Sequence, residues 1–239
     1  MVLPQALTEP ALPEPELRQQ GLHRPGLREL AGRARPVSLA RERVLPVLPA
    51  FCDLLPDGGL RRGMTMTITG ESHAGLTSMA LALVAASSAA GSWCAAVGMP
   101  ALGALAAAEL GFDLSRFALV PAAGPQWATV AAALLDALDV VIVQPPLRVR
   151  SADARRLSAR LRERGSVLLV METGGRAGWP EPPGVRVSVR EARWEGLGQG
   201  HGRLEALRVE MAVDGKGTAS RQRRARLWLP APSGGVERE

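Results

Sequence analysis

The stretch Gly70-Glu71-Ser72-His73-Ala74-Gly75-Leu76-Thr77 carries the strongest fold signal of this 239-residue chain. It has the spacing of the phosphate-binding motif G-x-x-x-x-G-K-[ST], with both glycines and the hydroxyl in place. Leucine, however, stands where the motif has its lysine. In a catalytic loop that lysine reaches the β- and γ-phosphates and stabilises charge as it develops, which leucine cannot do. The stretch therefore predicts a nucleotide-binding fold without catalysis.

Composition indicates a globular protein with an uneven charge distribution. Hydrophobic residues make up 46% of the chain, enough for one domain with a substantial core. Lys216 is the single lysine, and every other basic side chain is arginine. Residues 51–147 hold 3 basic and 7 acidic side chains, whereas residues 148–239 hold 19 and 11. The basic second half predicts a polyanionic or acidic protein partner, and a solvated domain surface is the alternative.

The two cysteines and the apolar runs place limits on localisation and redox chemistry. Cys52 and Cys94 form neither a disulfide framework nor a metal site, so we expect buried free thiols in a reducing compartment. The N-terminus has no signal-peptide layout. The apolar run around Met79–Ala90 is too short to span a bilayer. We therefore expect a cytoplasmic protein.

The chain divides into three parts by pattern. Residues 1–50 predict a flexible N-terminal arm with short amphipathic helices, since leucines at 17, 22, 27 and 30 lie among arginines and prolines. Residues 51–229 predict the folded core. Residues 230–239 predict a disordered tail.

Strands and helices alternate through most of the core, which predicts an α/β fold with a mainly parallel sheet flanked by helices. The predicted strands are Met64–Thr69, Trp93–Val97, Phe117–Val120, Val140–Val143 and Val167–Met171. The predicted helices are Ser78–Ala90, Ala101–Leu110, Gln126–Ala137 and Ala152–Arg164. From Val185 onward apolar and polar residues alternate, so antiparallel strands at the C-terminal end complete the predicted sheet.

Several segments in this order resemble the RecA-type ATPase core. They are Gly58-Gly59-Leu60 with Gly63, the loop within Thr67–Ser78, Gly91–Ala95, Ala107–Asp113 (similar to the A-x-x-L-G-V-D segment of that family) and Val140–Val143. The resemblance covers roughly residues 51–229. It implies a RecA-like core whose nucleotide site can be compared position by position.

Three parts of the hydrolytic machinery that the resemblance implies are missing. Leu76 replaces the lysine, and Gln144 stands where the magnesium-site aspartate belongs. The stretch 97–100, which matches the position of the catalytic glutamate, contains no carboxylate. We therefore predict a pseudo-ATPase with no catalytic residues, no metal ligands and no cofactor. Gly70, Gly75 and Thr77 keep the backbone for weak nucleotide binding, and the alternative is that the glycines serve only the turn.

Within the RecA-like group, this short degenerate chain resembles the ImuA-type accessory proteins of bacterial mutagenesis cassettes, including the actinobacterial ImuA-prime branch. The resemblance implies a non-catalytic scaffold of damage-induced translesion synthesis, or SOS mutagenesis. Its implied partners are an ImuB-type Y-family polymerase homologue, an error-prone replicative-type polymerase and DNA, which would make it nucleoid-associated. An atypical DNA-stimulated ATPase and a SulA-like cell-division inhibitor are the alternatives. Self-association stays open, as does a role for Lys216 at a neighbouring subunit's nucleotide.

A basic helix and a glycine-rich loop are the candidate DNA-contacting elements. Arg156, Arg160 and Arg164 share one helix face, and Arg155 lies on another. The loop 174–180 offers Arg176 for a phosphate and Trp179 for stacking on a base. A solvated helix is the alternative for the arginines. For Trp179 the alternatives are anchoring the loop to the core and binding a protein.

Overall fold

A computed structural model describes residues 43–71, 75–145, 148–173, 178–197 and 201–239. Its fold class is the one that the sequence predicts: α/β, with a mostly parallel central sheet, flanking helices and antiparallel C-terminal strands. Of the N-terminal arm predicted for residues 1–50, residues 1–42 lie outside the described ranges.

Nine strands of the described chain form one sheet, and two short strands form a separate pair. The separate pair is β1 (Val44–Leu45) with β2 (Leu60–Arg61). The other strands are β3 (Thr65–Gly70), β4 (Cys94–Val97), β5 (Phe117–Val120), β6 (Val140–Val143), β7 (Val167–Thr173), β8 (Val185–Leu197), β9 (Gly202–Gly215), β10 (Arg223–Trp228) and β11 (Glu237–Arg238). The helices are α1 (Leu76–Ala89), α2 (Ala104–Glu109), α3 (Trp127–Ala137) and α4 (Ser151–Arg164).

The sheet has the order β11-β10-β9-β8-β3-β7-β6-β4-β5, so that β3 and its phosphate loop lie near the centre. The pairs from β8 to β5 are parallel, and those from β8 to β11 are antiparallel. The parallel strands end together at what we call the carboxyl edge, which includes Gly70, Val97, Val143 and Thr173. Their starts form the amino edge.

Burial on both faces explains why the parallel strands read as continuous apolar runs. Val140–Val143 is buried throughout, as a parallel strand covered by helices should be. Helix α1 packs on one face and is buried almost all round. Helices α3 and α4 cover the other face, where Leu157 and Leu161 of α4 are fully buried. These two leucines, four residues apart, lie on the apolar face of α4.

The ends of the core differ from the prediction. Leu45 and Val47 already belong to the hydrophobic core, which the sequence places only from Phe51 onward. The tail predicted as disordered folds back instead: Ala231 is buried, and β11 pairs with β10. Arg238 also donates a hydrogen bond of 2.6 Å to Asp53. Tertiary pairing of this kind leaves no periodic signal in ten residues.

The two cysteines occupy different environments. Cys94 is buried in β4, where burial, with a smaller contribution from Asp139, raises the pKa of its thiol to about 12. Cys52 is exposed, so the expectation of a buried thiol was wrong for this residue. Over the described ranges, no helix is long and apolar enough to cross a membrane.

Candidate phosphate-loop site and basic helix

The turn from β3 into α1 has the backbone conformation that its glycines permit. Gly75 adopts the left-handed conformation, with φ 70° and ψ 28°, immediately before α1 begins at Leu76. A Cβ atom at Gly75 would lie 2.5 Å from Cδ2 of Leu207 on β9. The conformation therefore favours glycine here, and a Cβ would also require the Leu207 side chain to shift. Loop residues 72–74 are outside the described ranges.

The residue at the lysine position is part of the core. Leu76 is 2% exposed, and its Cδ2 lies 2.9 Å from the point where a Cβ of Gly70 would sit. Leu207, which is fully buried, approaches the same loop from β9. The described parts of the loop thus pack against apolar side chains, in a setting that would desolvate an ammonium group.

A cavity of about 330 Å³ opens beside the N-terminus of α1 at the carboxyl edge. Its described lining residues are Thr77, Gly98, Met99, Pro100, Ala101, Leu102, Gln144 and Pro145. None of these carries a charge. The polar groups that they offer are the Thr77 hydroxyl, the Gln144 amide and backbone atoms, all of which are neutral hydrogen-bonding groups.

Gln144 is held in place by neighbours on both sides. Its Nε2 donates to Oγ1 of Thr173 at 3.3 Å, and its backbone N donates to the carbonyl of Val97 at 2.9 Å. A Cβ at Gly98 would lie 2.4 Å from the Gln144 carbonyl oxygen, so glycine is needed for this close approach. A neutral amide, rather than a carboxylate, therefore stands at the end of β6. Such an amide is a weaker ligand for a hard cation than a carboxylate.

Glu172 is a carboxylate at the carboxyl edge that the sequence analysis did not single out. It lies near the end of β7, opposite Thr69 of β3. Its Oε1 accepts a hydrogen bond from the backbone N of Trp179 at 2.5 Å, and its Oε2 lies 2.9 Å from where a Cβ of Gly178 would sit. Glu172 thus holds the loop that follows β7. Its sequence signal was obscured because β7 was predicted to end at Met171.

The predicted DNA-contacting arginines of α4 separate into two groups. Arg160 and Arg164 both donate to Asp136 of α3, at 2.6 and 3.2 Å, and Arg156 lies 3.7 Å from Asp153. Arg155 is exposed and has no ion-pair partner in the part of the chain that the structure describes. Exposed pairs contribute little to stability, but they reduce the local positive potential.

The two residues predicted to contact DNA from the loop 174–180 are Arg176 and Trp179. Arg176 lies outside the described residues. The Trp179 side chain is 8% exposed and belongs to the core cluster that includes Leu157 and Leu161. This geometry favours the alternative in which Trp179 anchors the loop. Lys216 lies at the amino edge, where its N donates to the Gly184 carbonyl at 3.1 Å, at the opposite end of the sheet from Gly75.

The sequence that forms this site matches a known protein family. Residues 53–181, more than half of the chain, match the family described as the MT3502 N-terminal domain. The chain belongs to this family.

This member of the MT3502 N-terminal domain family is similar to known proteins in sequence and in structure. The uncharacterized protein Rv3395c from Mycobacterium tuberculosis (strain ATCC 25618 / H37Rv) is 37% identical over 150 residues, which is 62% of this chain and 71% of Rv3395c. Among solved structures, the KaiC-like protein PH0186 from Pyrococcus horikoshii OT3 has a TM-score of 0.57 at 14% identity, covering 82% of this chain and 98% of that one. The RadB recombinase has a TM-score of 0.57 at 15% identity, covering 79% and 96%.

These structural neighbours establish a RecA-like fold for this MT3502-family chain. The family match spans the phosphate loop, Gln144, α4 and Trp179, and ends before β8. The fold similarity extends over most of the chain.

Proposed function

We propose that this protein is a non-hydrolysing RecA-like scaffold of damage-induced translesion DNA synthesis, of the ImuA type. Its role is to bind an ImuB-type Y-family polymerase homologue and, with it, an error-prone replicative-type polymerase. The proposal is supported by the sequence resemblance in segments such as Ala107–Asp113, by the RecA-like fold, and by the departures at the phosphate loop.

The observation that carries the non-catalytic part is the chemistry of the 330 Å³ cavity. Its described lining supplies no cation for a γ-phosphate and no carboxylate for magnesium or water. The side chain at the lysine position, Leu76, is buried rather than directed into solvent. Phosphoryl transfer depends on positioned charge, so this lining favours a structural role for the fold.

A scaffold needs an accessible surface for its partner, and the β5 end of the sheet offers one. Leu105 of α2 is 73% exposed, and Leu114 and Leu119 are also exposed. Strand β5 is the last strand of the sheet on that side among the described residues, so one of its edges has no neighbouring strand. Exposed leucines and an open strand edge are both features of protein interaction sites.

Co-purification tests the scaffold role. The chain is co-expressed with a tagged ImuB-type polymerase homologue, which is then used to recover it. We expect stable recovery that Leu105→Ser reduces at least tenfold, because that substitution removes an apolar contact without disturbing the core. Leu204→Ser is the matched control, since Leu204 is 51% exposed on β9. Failure of the wild-type chain to associate would contradict the proposal.

An atypical DNA-stimulated ATPase is the second candidate, and one observation favours it. Gly75 keeps the left-handed turn, and Thr77 lines the cavity at the N-terminus of α1, where backbone N–H groups and the helix dipole favour an anion. This candidate predicts phosphate release above background with single-stranded DNA present, which an assay with and without the polymerase partner would detect.

A further inference from the structure

A large cleft among the described residues lies at the amino edge, away from the phosphate loop. It has a volume of about 760 Å³. Its walls come from the start of β3, the end of α4, the loop before β8 and the turn after β9. A space of this size accommodates a ligand larger than a simple ion.

Four cationic side chains line this amino-edge cleft: Arg61, Arg62, Arg162 and Lys216. They come from three separate segments, since Arg61 and Arg62 are adjacent, so the fold, rather than one charged run, brings them together. Arg62 is already engaged, because it forms an ion pair of 2.8 Å with Asp139 and donates to the Gly165 carbonyl at 3.1 Å. Arg61, Arg162 and Lys216 are exposed, and none has an ion-pair partner within the described ranges.

Two carboxylates also line the cleft, and neither forms an ion pair with these three cations within the described ranges. Glu181 accepts a hydrogen bond from Ser158 at 2.6 Å and thereby ties the loop before β8 to α4. Asp57 lies in a tight turn with φ 58°. The free guanidinium and ammonium groups therefore remain available to an incoming anion.

The cleft continues into one face of α4. Arg155 is seven residues before Arg162, so the two side chains share a helix face about 10 Å apart along the axis, with Ser158 between them. The other arginine face, Arg156, Arg160 and Arg164, is the one that pairs with Asp153 and Asp136. Cations without ion-pair partners thus form a row that runs from the cleft along α4, which we call the track. The track is longer than a single phosphate group.

We propose that the amino-edge cleft binds the backbone phosphates of single-stranded nucleic acid through Arg61, Arg162 and Lys216, with Arg155 as an outer contact. Guanidinium groups match phosphate oxygens in a two-pronged geometry, and they hold the strand without reading its sequence. The spacing of the track suits a polymer with repeating charge better than a mononucleotide. This inference does not depend on the scaffold role or on the polymerase partner.

Fluorescence anisotropy with a labelled oligo-dT strand over a range of salt concentrations tests the cleft. We compare the wild type with the double variant Arg162→Gln/Lys216→Gln. The matched control is Arg203→Gln/Arg226→Gln, which removes the same charge from two exposed arginines that pair with Glu205 and Glu210. Melting curves of all three proteins check that each is folded.

We expect the cleft variant to bind oligo-dT at least tenfold more weakly than the control variant. Its slope of log K against log salt should fall by roughly 1.4, since each phosphate contact on a single strand contributes about 0.7. Equal weakening by the two variants, or no binding by the wild type, would overturn the proposal.

Two competition experiments distinguish among the possible sources of the bound anion. ATP and a polyglutamate peptide are each added to the complex of the wild type with oligo-dT. We expect displacement by unlabelled oligo-dT at much lower phosphate concentration than by ATP, and little displacement by polyglutamate. Efficient displacement by ATP would assign the cleft to a mononucleotide, and efficient displacement by polyglutamate to an acidic protein. Either result would contradict the nucleic-acid assignment.

Discussion

Gly75 and Leu76 show how a phosphate loop can keep its turn while its surroundings become apolar. Glycine is favoured at position 75 because its φ is positive and because a Cβ there would have to displace the Leu207 side chain. Leu76 completes the contact by packing against Gly70. At this scale the conformation of the turn favours glycine whether or not a nucleotide binds.

The stability of the Gly75 turn can be measured against another left-handed glycine. Gly75→Ala combines left-handed strain, about 1–2 kcal/mol, with overlap against Leu207, which adds about 1–3 kcal/mol. Gly111→Ala carries only the strain, because no atom lies within 4 Å of its Cβ position. Urea unfolding should show the larger loss for Gly75→Ala. Equal losses would mean that Leu207 does not pack against the loop.

The two thiols should differ sharply in reactivity. At pH 8 the Cys94 thiol, whose pKa burial raises to about 12, is neutral and inaccessible, whereas Cys52 is exposed. Iodoacetamide labelling followed by mass spectrometry should therefore modify Cys52 alone in the native protein and both cysteines in urea. Rapid native labelling of Cys94 would contradict the position of β4 inside the sheet.

Single residues were the hardest features to predict from the sequence. The replacement of three charged groups at the phosphate site is visible directly in the motif positions. The pairing of Arg160 and Arg164 with Asp136 is not, because the partners are 24 and 28 residues apart and meet only when α3 packs beside α4. The burial of Trp179 likewise depends on the path of its loop.

Among the elements, the loop after β7 is held by Trp179 and Glu172. Trp179→Ala should lower the free energy of unfolding by about 3–5 kcal/mol, because it leaves a cavity between the loop and α4. Trp93→Ala is the control, since that side chain is 48% exposed and its loss should cost under about 1 kcal/mol. Chemical unfolding measures both. Unchanged stability with weakened DNA binding would instead support the stacking role.

The C-terminal segment should behave as part of the sheet. The Arg238 side chain lowers the pKa of the Asp53 carboxyl through a hydrogen bond, so the ionised form is favoured in the folded state. The resulting stabilisation is present above the normal carboxyl pKa and is lost as the pH falls through the lowered value.

Arg238→Gln should therefore lower the urea midpoint at pH 7, and its effect should fade towards pH 3. Arg221→Gln, an exposed arginine without an ion-pair partner among the described residues, serves as the control. A pH-independent effect of Arg238→Gln, or none, would indicate that the tail does not dock through this pair.

Most elements were predictable because their signals are local. β5 and β6 have the bounds that the sequence predicts, and α3 and α4 each begin one residue from the predicted position. β1, β2 and β11 were missed because each is only two residues long and exists through pairing with a distant segment. Apolar periodicity needs several residues to be visible, whereas hydrogen bonding between strands does not.

The whole molecule combines a RecA-like fold with an unusual division of charge. The carboxyl edge, where RecA-like folds hold nucleotide, has a neutral cavity, and the free cations that we describe lie at the amino edge and along α4. The sequence predicted the fold and the positive charge of the second half. It could not predict the cleft, because Arg61, Arg162 and Lys216 are brought together only by the tertiary structure.

Phosphate release from magnesium-ATP, measured with single-stranded DNA and with the polymerase homologue, tests most directly the claim that this fold works without hydrolysis. The account predicts release at background for the wild type under every condition, and the same background for Thr77→Ala. DNA-stimulated turnover that Thr77→Ala abolishes would contradict it, because that result would place a working nucleotide site at the N-terminus of α1.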